Sequence, residues 1–183
     1  HSINSEFQFL QVSCLPSAPH VVIVSLDRPR KRNAINGIFW KEIGRVFSAV
    51  SASGTCRCIL LTGSGSCFCA GIDIADSSFF PETSGDVAHN GIAFLPRLRE
   101  MQACFSALEE CPVPVVAAVH GKCIGAGIDL ICAADIRICS PETVFSVREV
   151  ALGMAADVGT LQRLPKVTGN QSLVNELCLT GRD

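Results

Sequence analysis

Apolar positions along the chain recur at two spacings, one typical of strands and the other of helices. Short runs rich in Val and Ile predict strands at residues 7–13, 20–26, 58–62, 113–119, 135–139 and 143–147. Apolar residues at helical spacing predict helices at residues 92–110, 126–133 and 170–179, and another that Asn36 caps and that runs to about residue 51. One more helix is expected to begin at Asp157 and to break at Pro165. This alternation predicts an α/β domain with right-handed crossovers.

Residues 76–91 follow neither spacing. They are polar and include Pro81, Gly85 and Gly91. Segments of this composition are often irregular surface loops, so the pattern predicts a mobile segment or a lid.

The composition is that of a globular protein with a buried core. Of 183 residues, 48% are hydrophobic and 17% are charged, which excludes a disordered chain. The formal net charge of -2 gives no reason to expect nucleic acid or an anionic membrane as a partner. No apolar run approaches the roughly 20 residues that a membrane span needs, and residues 1–9 do not have the pattern of a signal peptide.

Eleven cysteines raise the question of disulfides or a metal site. The pairs Cys56/Cys58 and Cys67/Cys69 have C-x-C spacing instead of C-x-x-C, and no histidine lies near them in the sequence. Most other cysteines lie in apolar runs, where a free thiol is a common small core residue. We therefore expect reduced thiols and no metal, with disulfides or zinc as the alternatives.

Candidate chemistry is concentrated in residues 113–159. An apolar strand leads into a turn with three glycines, and a short apolar helix follows, so backbone N–H groups can face an anion there. Three acids lie in or after this turn among small or apolar residues, which favours raised pKa values and a role as proton carriers. Anion-stabilising N–H groups together with such acids indicate chemistry on an enolate. The acids are Asp129, Glu149 and Asp157.

Each candidate also has a simpler interpretation. Glu149 could form a surface salt bridge with Arg148, Asp157 could cap a helix, and Asp129 could complement a helix dipole. His120 has no partner motif for nucleophilic catalysis, so a structural hydrogen bond is the favoured interpretation.

The only dense basic cluster follows the second predicted strand. It could be a solvated loop or a contact for a phosphorylated ligand. Its members are Arg28, Arg30, Lys31 and Arg32.

Four stretches, in order, resemble the crotonase (enoyl-CoA hydratase/isomerase) superfamily: LDRPRKRNAIN, FCAGIDI, PVVAAVHGKCIGAGIDL with ADIRICS, and VREVALGMAADVGTLQRLPKVTGN. They span about residues 26–170. Within the superfamily, the presence of Asp129, Glu149 and Asp157 together resembles the dienoyl-CoA isomerases. A hydratase usually has Glu at the first position and lacks the third acid.

The resemblance implies a single crotonase-like domain over residues 1–183, an α/β spiral of ββα units whose C-terminal helical part is missing here. It also implies an acyl-CoA thioester substrate, a homotrimer or hexamer, and no cofactor, since coenzyme A belongs to the substrate. A role in fatty-acid β-oxidation, in the mitochondrial matrix or the peroxisome, follows from the same resemblance.

The resemblance also assigns roles to residues. The backbone N–H groups of Ile72 and Ala126 bind the thioester oxygen, and Ala126 stands where the family usually has glycine. Glu149 acts at the α-carbon, Asp157 at the distal carbon, and Asp129 supports them. The residues expected along coenzyme A are Ala70, Gly71, Ile72, Asp73, Ile74 and Ala126, with Arg30 near its phosphates. Asp73 could instead cap a helix.

Two other functions stay open from the sequence. An enoyl-CoA hydratase would need the acids at positions 129 and 149 to hold a water. A non-catalytic acyl-CoA-binding or RNA-binding relative is the other, although RNA binding favours a lysine-rich helix and the chain has only four lysines. These are Lys31, Lys41, Lys122 and Lys166.

Overall fold

A five-stranded sheet forms the centre of the fold. The computed structural model describes residues 6–80 and 85–183. The sheet has the order β1-β2-β3-β4-β6, in which β1 is antiparallel to β2 and all other neighbours are parallel. A second sheet pairs β5 with β7 in parallel. The strands are β1 (Leu10–Leu15), β2 (Ala18–Leu26), β3 (Cys58–Gly63), β4 (Val115–Val119), β5 (Lys122–Ile124), β6 (Ile136–Cys139) and β7 (Val144–Ser146).

Five helices accompany these strands, and their buried faces share one hydrophobic cluster with the large sheet. Across the sheet, Val24 is in register with Leu61, and Leu61 with Ala117, and all three are almost fully buried. The helices are α1 (Gly37–Ser51), α2 (Val87–Glu109), α3 (Ala126–Cys132), α4 (Thr160–Thr168) and α5 (Gln171–Thr180).

The first helix begins where the sequence predicts. The side chain of Asn36 accepts a hydrogen bond from Phe39 N at 2.9 Å, which satisfies one of the free N–H groups of the first turn. Helix α2 packs closely on α1 at Gly44, because a Cβ there would lie 2.9 Å from Cys104 Sγ. The two helices and the sheet therefore form a rigid base for the loops that carry the candidate site.

The prediction for residues 76–91 is partly wrong. Helix α2 already begins at Val87, because Asp86 Oδ1 accepts hydrogen bonds from the N–H groups of Ala88 and His89 and starts the helix before Gly91. Residues Ser77–Phe79 form a 3-10 turn. Residues 81–84, which include Pro81, lie outside the described part of the chain.

The prediction for the helix after Asp157 is also wrong at its start and at the break. Helix α4 begins at Thr160 after Gly159, and it continues through Pro165 to Thr168. The proline costs the helix one backbone hydrogen bond but does not end it. Asp157 therefore lies in the loop that precedes α4, outside the helix.

Three further features concern membrane crossing, the state of the thiols and metal binding. Within residues 6–80 and 85–183, no helix combines the length and hydropathy that a membrane crossing requires. All eleven cysteines have free thiols, and several are fully buried, as Cys69 and Cys123 are. The same residues contain no cluster of three or more Cys, His, Asp or Glu side chains that could hold a metal ion.

Candidate active site

A cavity of about 510 Å³ lies between α2, the segment 70–74 and the loop 148–158. All three candidate acids and both candidate N–H donors line it, together with a mostly apolar wall. The wall includes Trp40, Phe79, Phe80, Phe94, Leu98, Met101, Leu152, Met154 and Val158. A larger recess of about 830 Å³ between α1 and α2 shares Trp40, Phe79 and Met101 with this cavity but none of the candidate site residues.

The N–H of Ile72 is free to bind a ligand. Ile35 pairs with Ile72 in a parallel bridge, in which Ile35 N donates to Gly71 O and Asp73 N donates to Ile35 O, both at 2.8 Å. These bonds use the neighbours of Ile72, so its own N–H points away from Ile35. Among the residues described, the Ile72 amide has no hydrogen-bond acceptor.

The second candidate donor, Ala126, is the first residue of α3. Its backbone is helical, so alanine is tolerated where the family usually has glycine. Its N–H has no acceptor in residues 6–80 and 85–183. The two donors are neighbours, because a Cβ built on Gly71 would lie 3.9 Å from Ala126 N. Both glycines that precede the donors, Gly71 and Gly125, keep side chains out of the space between them.

Asp129 is completely buried beside these donors. Its Oδ1 accepts a short hydrogen bond from Thr160 N at the start of α4, whereas its Oδ2 has no partner among the residues described. Burial raises the pKa of Asp129 to about 7, and the nearby carboxylates of Glu149 and Asp157 act in the same direction, while hydrogen bonding from Thr160 opposes the shift. Near neutral pH this side chain can therefore hold or release a proton.

Glu149 lies in the 3-10 turn Glu149–Leu152 and reaches over Gly125. A Cβ on Gly125 would lie 3.2 Å from Glu149 Oε1, so the carboxyl group is adjacent to the turn that carries Ala126. Glu149 Oε2 is buried and unpartnered within the described chain. Burial raises the pKa of Glu149, and the charge of Asp157 raises it further. The carboxyl group therefore lies beside Gly125, which precedes the candidate donor Ala126.

Asp157 is partly buried and lines the same cavity. Burial raises its pKa. Its backbone carbonyl accepts a hydrogen bond from Gln102 Nε2 at 2.7 Å, which ties the loop to α2. Three acids therefore share one cavity, each with a pKa above its ordinary value, and this arrangement suits proton transfer between two carbons.

Two of the simpler interpretations are wrong. Arg148 forms its ion pair with Asp183 at 2.9 Å and not with Glu149. The N-cap position of α4 is occupied by Gly159, so Asp157 does not cap that helix. The structural interpretation of His120 is confirmed, because its Nε2 forms a 3.0 Å hydrogen bond with Gly65 O.

Two residues predicted to contact coenzyme A do not line the cavity. Asp73 forms a 2.7 Å ion pair with Arg28, and this hydrogen bond holds the pKa of Asp73 below its usual value. Arg30 lies exposed in the 3-10 turn Pro29–Lys31. Contacts of either residue with coenzyme A stay predictions. The other residues expected along coenzyme A, namely Ala70, Gly71, Ile72, Ile74 and Ala126, all line the cavity.

Sequence reasoning missed Thr160. It is fully buried, its N–H holds Asp129, and its hydroxyl has no partner among the residues described. No local pattern marks it, since the hydrogen bond joins residues 31 positions apart. Met101 is partly buried against the core and also lines the cavity.

Comparison with known proteins places this geometry in context. The chain is 50% identical over 165 residues to the mitochondrial Delta(3,5)-Delta(2,4)-dienoyl-CoA isomerase of Homo sapiens, a match that covers 89% of this chain and 50% of that protein. It is 40% identical over 166 residues to the peroxisomal Delta(3,5)-Delta(2,4)-dienoyl-CoA isomerase of Arabidopsis thaliana, covering 89% of this chain and 58% of that protein. The chain thus spans about half the length of these relatives.

Solved structures and the family profile agree with the sequence comparison. The crystal structure of a putative enoyl-CoA hydratase from Thermobifida fusca YX in complex with acetoacetyl-CoA superposes with a TM-score of 0.78 at 30% identity, over 95% of this chain and 67% of that chain. The family profile described as "Enoyl-CoA hydratase/isomerase" matches residues 18–183. The predicted crotonase-like α/β fold is therefore confirmed, and the chain belongs to the enoyl-CoA hydratase/isomerase family.

Proposed function

We propose that the chain catalyses the isomerisation of 3,5-dienoyl-CoA to 2,4-dienoyl-CoA in fatty-acid β-oxidation. One observation carries this proposal: Asp129, Glu149 and Asp157, each with a raised pKa, line one cavity with the free N–H groups of Ile72 and Ala126. The identity to relatives named as dienoyl-CoA isomerases in two organisms supports the same reaction.

The reaction moves one proton and two double bonds. Glu149 removes a proton from the α-carbon, and the electron pair of that C–H bond delocalises onto the thioester oxygen and along the conjugated chain. Asp157 then delivers a proton to the distal carbon, C6, the carbonyl re-forms, and the double bonds lie at the 2 and 4 positions. Both acids line the same cavity, so each can serve one of the two carbons between which the proton moves.

The N–H groups of Ile72 and Ala126 donate hydrogen bonds to the thioester oxygen, where the negative charge of the dienolate collects. The surrounding wall is mostly apolar, which strengthens these hydrogen bonds relative to water. The loss of one such donor typically costs about 3 kcal/mol of transition-state stabilisation.

Asp129 has a supporting role in this proposal. It is held by Thr160 N, and its pKa responds to the charges of Glu149 and Asp157. Its negative form disfavours the ionised form of Glu149, and its protonated form relieves that repulsion. Proton transfer at Glu149 is therefore coupled to the charge on Asp129.

The substrate is an acyl-CoA thioester, whose coenzyme A moiety lies along residues 70–74 with its phosphates toward Arg30. The T. fusca relative was crystallised with acetoacetyl-CoA, which supports a thioester at this cavity. Enzymes of this family typically need no cofactor, and coenzyme A enters as part of the substrate. We place the protein in the mitochondrial matrix or the peroxisome, the locations in its relatives' names.

We further propose a homotrimer or a hexamer, as the family resemblance implies. Large apolar side chains exposed on the sheet and on the last helix support such an assembly, because exposed apolar surface favours association. These side chains are Ile136, Ile138 and Leu179.

The proposal is tested with 3,5-octadienoyl-CoA as substrate in deuterium oxide. We expect 2,4-octadienoyl-CoA to form, with its conjugated thioester absorbance, and deuterium to appear at C6. A protein that leaves the substrate unchanged, with a CoA thioester shown to bind, would remove this assignment.

An enoyl-CoA hydratase is the second candidate. Asp129 and Glu149 each have one buried carboxyl oxygen without a partner in the described chain, and such a pair could hold a water. Incubation with 2-octenoyl-CoA separates the two functions, because a hydratase produces 3-hydroxyoctanoyl-CoA and the isomerase does not.

A further inference from the structure

Asn33 is buried completely, two positions before Ile35, the residue that pairs with Ile72. Its backbone is in the left-handed region at φ 55°, directly after Arg32 at φ 51°. Two consecutive residues other than glycine with positive φ are uncommon, although asparagine tolerates this region better than most residues. The contacts of the Asn33 side chain must therefore maintain the conformation.

Every hydrogen-bonding group of the Asn33 carboxamide binds the backbone. Its Nδ2 donates to the carbonyl oxygens of Ser64 at 2.9 Å, Cys67 at 2.9 Å and Phe68 at 3.1 Å. Its Oδ1 accepts from Arg28 N at 2.9 Å. The side chain therefore closes the turn formed by residues 64–68, hereafter the 64–68 turn, and fixes it to the loop that contains Asn33.

The contact between the Asn33 side chain and the 64–68 turn leaves no space for a residue larger than glycine at position 63. A Cβ on Gly63 would lie 3.0 Å from Asn33 Nδ2 and 2.7 Å from Phe68 O. The 64–68 turn and the Asn33 side chain thus approach as closely as backbone and carboxamide allow.

The 64–68 turn leads directly into residues 68–72, which present the Ile72 amide. On one side this segment bonds to the Asn33 loop, through Ala70 N to Arg32 O at 3.0 Å and Ile35 N to Gly71 O at 2.8 Å. On the other side it bonds to the chain that leads to Ala126. These bonds are Phe68 N to His120 O (2.8 Å), Cys69 N to Lys122 O (3.0 Å) and Ile124 N to Cys69 O (2.9 Å).

We propose that Asn33 is a positioning residue for the oxyanion site, and that its buried carboxamide sets the position of the Ile72 N–H relative to the Ala126 N–H. It does so by fixing the 64–68 turn, which leads into residues 68–72 and so to the Ile72 N–H. This inference rests on the proposed function, because it assigns the two N–H groups to the thioester oxygen. Small displacements of such donors matter, since hydrogen bonds weaken steeply with poor geometry.

The test compares two ligands that differ only at the thioester carbonyl. Butyryl-CoA contains that carbonyl, and S-butyl-CoA has a methylene in its place, so the ratio of their dissociation constants reports the oxyanion contacts alone.

The variants are Asn33→Gly, which keeps positive φ accessible, and Asn33→Asp, which keeps the shape but loses the donor. The control is Ser64→Ala, which removes the 2.8 Å hydrogen bond from Ser64 Oγ to Asp27 on the same turn without touching Asn33.

We expect the wild-type protein to bind butyryl-CoA more tightly than S-butyl-CoA, and this preference to fall about tenfold in the Asn33 variants. Affinity of the Asn33 variants for S-butyl-CoA is expected to change by less than about twofold, because this ligand has no carbonyl for the two donors to bind. Ser64→Ala is expected to keep the preference, because it does not alter the contacts of Asn33. If Asn33→Asp does not fold, the preference is measured with Asn33→Gly alone.

Two outcomes count against the inference in different ways. A preference for the thioester that survives in a folded Asn33 variant shows that Asn33 does not position the donors, and the proposed function stands. A wild-type protein with no preference for the thioester overturns the assignment of Ile72 and Ala126, and the inference about Asn33 with it.

Discussion

Single side chains at the cavity differ in how they are held, and this difference predicts different effects of neutralising each one. Glu149 and Asp157 have raised pKa values and line the cavity as partly buried residues, whereas Asp129 is fully buried and held by the start of α4. We therefore assign proton transfer to Glu149 and Asp157. We assign Asp129 a supporting electrostatic and positioning role.

For the proton carriers, we expect Glu149→Gln and Asp157→Asn each to lower turnover of 3,5-octadienoyl-CoA by about 10²- to 10⁴-fold, because neither amide can exchange a proton with carbon. Binding of butyryl-CoA, measured by calorimetry, is expected to survive. The control is Glu176→Gln, which removes an exposed ion pair with Arg182 far from the cavity. Unchanged turnover in either cavity variant contradicts its role.

For Asp129, the raised pKa predicts a pH dependence of stability. The unfolded side chain releases its proton near pH 3.8, whereas the folded one keeps it to about pH 7. Between these values the folded state binds more protons than the unfolded state, so the free energy of unfolding falls as pH rises.

We expect the loss of stability from pH 4 to pH 8 to be a few kcal/mol smaller in Asp129→Asn than in the wild-type protein. Urea unfolding at a series of pH values measures the two slopes. Equal slopes would show that Asp129 titrates in the folded protein as it does in the unfolded chain.

The acids could be found from sequence because each lies among small or apolar residues. Thr160 and Asn33 could not, since they act through hydrogen bonds to positions about 30 residues away, which leave no local pattern. The donors Ile72 and Ala126 followed from the family resemblance, and only the structure shows that both N–H groups lack an acceptor within the described residues.

Turns between elements place the acids beside the candidate donors, and one such turn requires glycine at position 125. Its φ is 52° and its ψ is -118°, a combination that residues with a Cβ avoid. A Cβ there would also lie 3.2 Å from Glu149 Oε1. The start of α3 and the position of the Glu149 carboxyl group therefore depend on one glycine.

We expect Gly125→Ala to lower turnover at least about tenfold and stability by about 1–3 kcal/mol, because the backbone is strained and the carboxyl group is displaced. The matched control is Gly169→Ala at the end of α4, where φ is 64° and no atom lies within 4 Å of the added Cβ. It is expected to lose stability and keep turnover. Similar turnover losses in both variants would point to general destabilisation as the cause.

Elements whose apolar pattern is continuous were predicted well, as the strand 113–119 and the helix after Asn36 were. The start of α2 was missed because Gly91 and polar neighbours hid the helical spacing, although Asp86 is an ordinary capping residue. The helix break at Pro165 was wrong because packing of α4 against α3 and α5 outweighs the local cost of proline.

The cavity depends on the whole molecule, since its walls come from α1, α2, α3 and the loops around residues 72 and 150. The alternation of strands and helices predicts the α/β class. It does not predict which loops meet, because sheet order and long-range register decide that. The crotonase-like fold was therefore predictable only through the resemblance of four motifs.

The apolar wall of the cavity predicts a dependence of affinity on acyl chain length. A fully buried methylene contributes about 0.8 kcal/mol, so we expect octanoyl-CoA, with its four additional methylenes partly buried, to bind about tenfold more tightly than butyryl-CoA. Met101→Gln places an amide in the apolar wall, so it should reduce the difference in affinity between octanoyl-CoA and butyryl-CoA. Calorimetry with both ligands measures it, and equal affinities would place the acyl chain in solvent.

Trp40 lies in that wall, stacked on Phe105 at 4.5 Å between ring centroids and within 5.4 Å of Phe79. It is the one tryptophan of the sequence, which contains no tyrosine. Its indole emission therefore comes from a single known place beside the ligand. This chain has a built-in fluorophore with which acyl-CoA binding can be followed in real time, without any label.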